Sequence, residues 1–183
     1  KQISLTDPDA RSMKTRGTGI VGYNVQTAVD AKHHLIVAHE VTNIGSDRGQ
    51  LTSMGMQAKE AIGAQALTAI ADRGYFSGPE ILSSHEAGIS VIIPKTVTSG
   101  ATADGRFGKA DFIYDPERND YRCPAGESLK WRFKTVEKGM TIHRYWSSNC
   151  KTCALKAQCT PSGCRRISRW EHEEVLDTVQ RRL

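Results

Sequence analysis

The stretch Leu67-Thr-Ala-Ile-Ala-Asp-Arg-Gly-Tyr-Phe-Ser77 decides how this chain is read. Its first five residues form a short apolar run bounded by turn signals, which is the pattern of a buried strand. The run ends on Asp72, and Gly74 follows two residues later. In open α/β sheets, ligand and metal groups collect at the carboxyl ends of strands. Asp72 is therefore a candidate metal-binding carboxylate at a sheet edge. An aspartate in this position also has a simpler use, capping the following turn with its own side chain. The sequence on either side bears on the choice.

Upstream, residues 20–42 read as a hairpin, with Tyr23, Val25, Thr27 and Val29 on one face of the first strand. Leu35, Val37, His39 and Val41 share one face of the second, and Asp30 belongs to the polar turn between them. A helix is predicted over 47–62, with Asp47 as its cap and Gln50 placed for a capping box. Leu51, Met54, Ala58 and Ile62 would form its apolar stripe. Downstream of the decisive stretch come a helix over 79–86, opened by Gly78-Pro79 and closed by Gly88, and a strand over 89–93. The order strand, strand, helix, strand, helix, strand predicts an α/β arrangement in which an antiparallel pair leads into parallel strands. Residues 1–19 read as an irregular lead-in, 20–94 as the core, and 95–110 as a linker rich in Gly, Thr and Ser.

Beyond the linker the character changes. Residues 111–168 read as a small β-rich module, and 169–183 as an amphipathic helix with Val175, Leu176, Val179 and Leu183 on its apolar side. Phe112–Tyr114 and Tyr121–Cys123 flank one turn, and 129–136 and 141–146 form a hairpin around Lys138-Gly139. Charge separates the two halves. Residues 1–100 hold 9 Lys/Arg and 9 Asp/Glu, whereas residues 101–183 hold 16 and 11 and so carry the whole net charge of +5. Within 130–169 there are 10 basic residues and 1 acidic residue. Such a segment suits a polyanionic partner or a solvated basic surface. All five cysteines, Cys123, Cys150, Cys153, Cys159 and Cys164, lie in the same half. An odd, clustered set in a chain with no secretion signal favours metal binding over a disulfide framework. No apolar run is long enough to span a bilayer. A chain that opens on Lys1 reads as a piece of a longer cytoplasmic protein.

The segments Gly22-Tyr-Asn-Val-Gln26, Val29-Asp30, Val41-Thr-Asn43 with Asp47 and Gln50-Leu51, and Ala71-Asp-Arg-Gly-Tyr75 resemble the DDE transposases of bacterial insertion sequences. Thr6-Asp-Pro-Asp-Ala-Arg11 fits the same pattern, as do Asp111-Phe-x-Tyr-Asp115, Tyr121-x-Cys-Pro124, Leu129, Tyr145, Cys150-x-x-Cys153 and Cys159. The resemblance implies a partial ribonuclease H-like core followed by the cysteine-bearing insertion module and a C-terminal helix leading back to the core. It implies three catalytic carboxylates holding two divalent metals, Mg²⁺ or Mn²⁺, with Asp72 in the place of the second. The other two positions fall outside these residues, so the chain alone is expected to be inactive. The implied partners are DNA, as element ends and target, and further copies of the full-length protein. The implied location is the bacterial cytoplasm at the nucleoid, with no membrane contact.

Two metals can serve the attacking and leaving oxygens of an in-line phosphodiester displacement, and such ions prefer oxygen ligands like Asp72. Arg73 is a candidate phosphate contact. The spacing of Cys150-x-x-Cys153, joined by Cys123 and Cys159, suits a structural Zn²⁺ site, with Cys164 as a spare ligand. Reduced thiols without metal are the rival. Lys130, Arg132, Lys134, Lys138, Arg144, Arg165, Arg166 and Arg169 are candidate DNA contacts, interleaved with Trp131, Phe133, Tyr145 and Trp146. Two readings without catalysis remain beside the transposase: a zinc-stabilised DNA-binding or assembly module, and the remnant of a decayed element.

Overall fold

The computed structural model describes residues 4–15, 17–96 and 100–183; Arg16 and the linker residues 97–99 lie outside them. The chain divides into two compact units, residues 1–96 with 174–183 and residues 97–173. The architecture is mixed α/β.

The first unit opens with a hairpin where an irregular lead-in was expected. Strands β1 (Arg11–Thr15) and β2 (Thr18–Gly22) pair antiparallel, Arg11 opposite Gly22. The sequence of β1 has no apolar alternation, so periodicity could not reveal it. Its anchors are Met13 and the preceding Ala10, both buried. Tyr23 ties the earlier Thr6-Asp-Pro-Asp segment down by donating its hydroxyl to the Asp7 carboxylate at 2.9 Å.

Strands β3 (Asn24–Val29) and β4 (Ile36–Thr42) form the expected hairpin, Gln26 opposite Glu40. Asp30 closes its turn, accepting from the His33 backbone at 2.7 Å. The faces are reversed from a simple apolar-in reading. Val25, Val29 and Val41 are exposed, whereas Gln26 is buried.

Helix α1 (Leu51–Ala61) packs against β3, β4, β5 (Leu67–Ile70) and α2 (Gly78–Glu86). Leu51, Met54 and Ala58 of its predicted stripe are buried, but Ile62 is exposed. The capping box does not form: Gln50 makes no side-chain cap, and residues 47–49 are a separate 3₁₀ turn capped by Ser46. The helix borrows its cap from α2, where Glu80 accepts from the Thr52 backbone at 2.9 Å. Pro79 stands in the first turn of α2, as expected.

Strand β6 (Ile89–Ile92) pairs parallel with β5. The three strand pairs of this unit are not joined into one sheet among the described residues.

The second unit is a five-stranded antiparallel meander in the order β11-β10-β9-β8-β7. Its strands are β7 (Ile113–Asp115), β8 (Asp120–Arg122), β9 (Ser128–Glu137), β10 (Met140–Trp146) and β11 (Ile167–Trp170). Residues 169–170, expected to begin a helix, instead end β11; Ile167 and Trp170 are buried there. The linker is partly built in as well, since Ala101 is buried and the Phe107 backbone donates to Gln158 at 2.9 Å. Lys138 and Gly139 take positive φ, 51° and 79°, in the tight turn between β9 and β10. The core gathers Phe112, Tyr121, Leu129, Tyr145 and Ile167. Tyr121 and Tyr145 meet edge to face at 5.1 Å between ring centroids. A short helix α3 (Lys156–Cys159) follows the Cys150-x-x-Cys153 turn.

Helix α4 (Glu173–Arg181) belongs, from Glu174 onward, to the first unit. Val175 and Val179 line a cavity with Ile81, Ile89 and Val91, and Gln180 donates to the Ile93 carbonyl at 3.2 Å. Leu176 and Val179 are buried as predicted, but Leu183 is exposed.

Asp120 is the buried ionic centre of the second unit. It accepts from Ser128 and from Lys130, the latter at 2.8 Å, with Arg118 at 3.6 Å. The hydrogen bond from Lys130 and then that from Ser128 hold its carboxyl below the ordinary value of 3.8. A carboxylate lowered in the folded state stabilises that state above the unfolded pKa, and the contribution is lost as pH falls through the folded pKa. Asp120→Asn is therefore expected to weaken the unit at neutral pH and to flatten its acid limb, so that variant and wild type converge as pH falls. Denaturant melts over a pH series check this; curves that stay parallel refute it.

Candidate functional site

Asp72 stands two residues beyond the end of β5 and is exposed. One of its oxygens caps the 3₁₀ turn Arg73–Tyr75, accepting from the Gly74 backbone at 2.6 Å. The capping use of Asp72 is thus real. It occupies only Oδ1, because no described residue donates to Oδ2. Arg73 is exposed beside it, with no ion pair among the described residues.

Asp47 comes to the same place, although it was predicted as a helix cap. The 3₁₀ turn Asp47–Gly49 packs against the turn Arg73–Tyr75. Asp47 Oδ1 accepts from Asn24 Nδ2 and Gln26 Nε2, each at 2.8 Å. Gln26 also donates to Asn24 Oδ1 at 2.9 Å and accepts the Tyr75 hydroxyl through Oε1. Gln26 is 2% exposed and its partners Asn24, Asp47 and Tyr75 are half-buried, so the network is partly shielded from water. Burial, followed by the nearby Asp47 and Asp72 charges, raises the Tyr75 phenol above its ordinary value and keeps it protonated as a donor. Glycine at position 74 fits between the two carboxylates. A methyl added there would lie 2.9 Å from Asp72 Oδ1 and 3.6 Å from Asp47 Oδ2.

Sequence periodicity alone missed this constellation, because Gln26 sits on a face whose apolar neighbours point the other way. The one available signal was polar residues alternating through an otherwise apolar hairpin strand.

In the second unit, Cys123, Cys150, Cys153 and Cys159 line one cavity of about 30 Å³, with Phe107, Phe112 and Arg165 in its wall. Two turns and the end of the short helix α3 deliver them. Cys123 begins a turn closed by the Gly126 backbone donating to its carbonyl at 2.8 Å, and the Cys153 backbone donates to the Cys150 carbonyl at 3.4 Å. Burial raises the Cys159 thiol, opposed by Arg165. Cys164 is not part of the lining. All five cysteines are free thiols. As the side chains stand, no group of three or more His, Cys, Asp or Glu among the described residues is arranged to hold a metal ion. The sequence spacing brought the four thiols to one cavity but not to a ligation geometry.

The predicted basic residues are sorted by what they touch. Arg165 lies over the Phe112 ring at 5.3 Å and donates to the Cys159 carbonyl, facing the core rather than an open surface. Arg169 stacks on Tyr114 at 3.9 Å. Arg144 bonds Glu137 and Ser168, and Lys130 bonds Asp120. Arg132 and Arg166 each lie 5.4 Å from the Trp146 ring, and both are exposed. Lys134 and Lys138 are exposed too.

A family model described as the transposase DDE domain matches residues 1–137. The chain belongs to the transposase DDE domain family. The match takes in both Asp47 and Asp72 and ends in β9, ahead of Cys150, Cys153 and Cys159. Searches of curated proteins and of solved structures return no match. Membership places the chain with proteins of DNA transposition, which generally use divalent metals. The donors near Asp72 fit such an ion in kind: exposed or half-buried carboxylate oxygens, with Oδ2 of each uncommitted among the described residues. No helix of the described residues is long and apolar enough to cross a membrane.

The Gln26 network carries a test of its own. Gln26→Leu would leave the Tyr75 hydroxyl without its acceptor and Asp47 with one amide fewer. The expected loss is about 2 kcal/mol of stability, read by chemical denaturation. A variant as stable as wild type would show that the network contributes nothing to the fold.

Proposed function

We propose that this chain is part of a bacterial insertion-sequence transposase that cleaves and rejoins DNA by divalent-metal-dependent phosphodiester transfer, with Asp72 as one of its catalytic carboxylates. The observation that carries this reading is the place of Asp72: at the carboxyl end of a parallel strand, exposed, with one oxygen used by its own turn and the other uncommitted. When bound, Mg²⁺ or Mn²⁺ would supply charge for the attacking and leaving oxygens. Asp72 would be a ligand, and exposed Arg73 would meet a phosphate beside it. One carboxylate alone holds such ions weakly, so the remaining acidic ligands would come from other parts of a longer chain.

A partial ribonuclease H-like core is part of the same proposal. It is supported by the strand pairs β3–β4 and β5–β6, each with edges unpaired among the described residues, and by the exposed Val25, Val29, Val41 and Ile70. A core completed by further strands and helices would cover such positions. Residues 97–173 would then be the inserted module.

The DNA contacts narrow to the exposed basic residues that bond no acidic side chain among the described residues: Arg132, whose guanidinium also donates to the Trp146 carbonyl and Ser148, with Arg166, Lys134 and Lys138. They would bind backbone phosphates rather than read sequence. Homo-oligomeric assembly and a nucleoid location belong to the same reading.

The cysteine cavity would hold structural Zn²⁺, the four thiols turning toward its centre as they bind and lose their protons. Metal analysis of protein purified without chelator is expected to give about one Zn per chain, falling in Cys150→Ser/Cys153→Ser. A folded, zinc-free wild type would remove the idea.

The catalytic assignment is tested in the full-length transposase. Asp72→Asn is expected to lower strand cleavage by at least about 1,000-fold, or about 4 kcal/mol in barrier, with DNA binding retained. Cleavage at the wild-type rate would refute it.

A further inference from the structure

We infer that Arg165 is a positioning residue of the cysteine cavity: its guanidinium is the counter-charge that steadies the four thiols once they are thiolates on a metal ion. The inference rests on the proposed Zn²⁺ site. It extends that site to a residue that sequence reading made a DNA contact.

Three observations carry it. First, Arg165 is built into the cavity wall. It lines the cavity together with Cys123, Cys150, Cys153 and Cys159. Its guanidinium carbon lies 5.3 Å from the centroid of the buried Phe112 ring, and Nη1 donates to the Cys159 carbonyl at 3.4 Å. Second, the charge has no acid to meet it. Arg165 makes no ion pair among the described residues, and its Nε is buried with no hydrogen-bond partner. Glu127, the carboxylate of the same lining, is bonded instead by Asn149 at 3.0 Å. Elsewhere in this unit, buried or half-buried basic groups do find acids: Lys109 bonds Glu173, and Arg144 bonds Glu137. Third, the polar groups that share the cavity with Arg165 are mainly thiols, and a neutral thiol is a weak acceptor.

A guanidinium shielded from water without a counter-charge is unfavourable, and so is a buried N–H without an acceptor. With four neutral thiols for neighbours, Arg165 has neither. Thiolates supply both. Four of them around one Zn²⁺ leave a net negative charge, and each sulfur accepts hydrogen bonds better than a thiol does. Arginine suits the task, since its planar, weakly hydrated head can stay charged against an aromatic ring. The orphaned Nε is thus an observation separate from the cysteine spacing, and it points to negative charge in the same cavity. Groups that act on a metal through its ligands commonly change metal affinity by about 10- to 100-fold. Arg165 would act in that way, through Cys159, without touching the ion.

The test is Zn²⁺ affinity of the whole chain, measured by competition with a chromophoric chelator, alongside the visible spectrum of the Co²⁺-substituted protein. Arg165→Gln keeps a planar polar head and removes the charge. It is expected to weaken Zn²⁺ by about 10-fold while the Co²⁺ spectrum at saturation keeps the bands of a tetrahedral thiolate site. Arg165→Lys, which keeps the charge, is expected to retain most of the wild-type affinity. Arg165→Met, which keeps packing against Phe112, takes the place of Arg165→Gln if that variant does not fold. Wild-type affinity in the uncharged variant overturns the inference and leaves the zinc site standing. So does a loss in Arg165→Lys as large as in Arg165→Gln, because charge would then not be the cause. If wild type itself binds neither Zn²⁺ nor Co²⁺ through thiolates, the zinc reading fails and the inference falls with it.

Discussion

A buried amide organises the first unit. Gln26 lies on the inner face of the β3–β4 hairpin, and burying its polar group without partners would cost more than its packing returns. Its NH₂ donates to Asp47 and Asn24, and its carbonyl accepts from Tyr75. Those bonds join three stretches that are distant in sequence: the hairpin, the turn before α1 and the turn after β5. Asp72 belongs to the last of these, so its setting depends on a residue almost fifty positions earlier. The inner face of the hairpin is polar elsewhere too. Glu40, opposite Gln26, accepts from Gln57 of α1 at 2.7 Å, so helix and hairpin meet partly through hydrogen bonds.

The second unit rests on different physics. Aromatic burial dominates, with Tyr114, Tyr121 and Tyr145 meeting ring to ring and the Tyr145 hydroxyl donating to Asn119 at 2.8 Å. Burial raises the Tyr145 phenol far above its ordinary value. Around this core the high positive charge is divided between tasks. Some basic groups neutralise Asp120 and Glu137, and others stack on Phe112, Tyr114 and Trp146. A basic composition is therefore not one continuous basic surface. The four cysteines sit where that aromatic core meets two turns, and Cys123 and Cys159 pack against it.

Much of the element order was legible along the chain, because each element carried a local signal. The apolar run 67–71, Pro79 at the start of α2, Gly88 after it and Lys138-Gly139 between two long strands all act over a few residues. The hairpin β1–β2 was not legible, since Arg11-Ser-Met-Lys-Thr15 offers no alternation and depends on its partner strand and on contacts made by Met13 and Ala10. The capping box at Asp47 and Gln50 was misleading: the pattern is present, but residues 47–49 form a separate 3₁₀ turn capped by Ser46, and α1 begins only at Leu51, with Glu80 of another helix accepting from the Thr52 backbone. Leu183 fits the apolar stripe of α4, yet the helix ends at Arg181 and leaves it exposed.

The sequence by itself determined the family, the α/β class, the separation of a neutral half from a basic, cysteine-bearing half, and the position of Asp72 just after an apolar strand. These are properties of local patterns and of composition, which need no partner in space. Only the tertiary structure decided that the turn holding Asp47 packs against the turn that Asp72 caps, that Gln26 is buried while Val25 and Val29 are not, and which basic residues remain exposed. Each of those outcomes depends on which distant group satisfies a buried donor or charge, and no spacing along the chain contains that information.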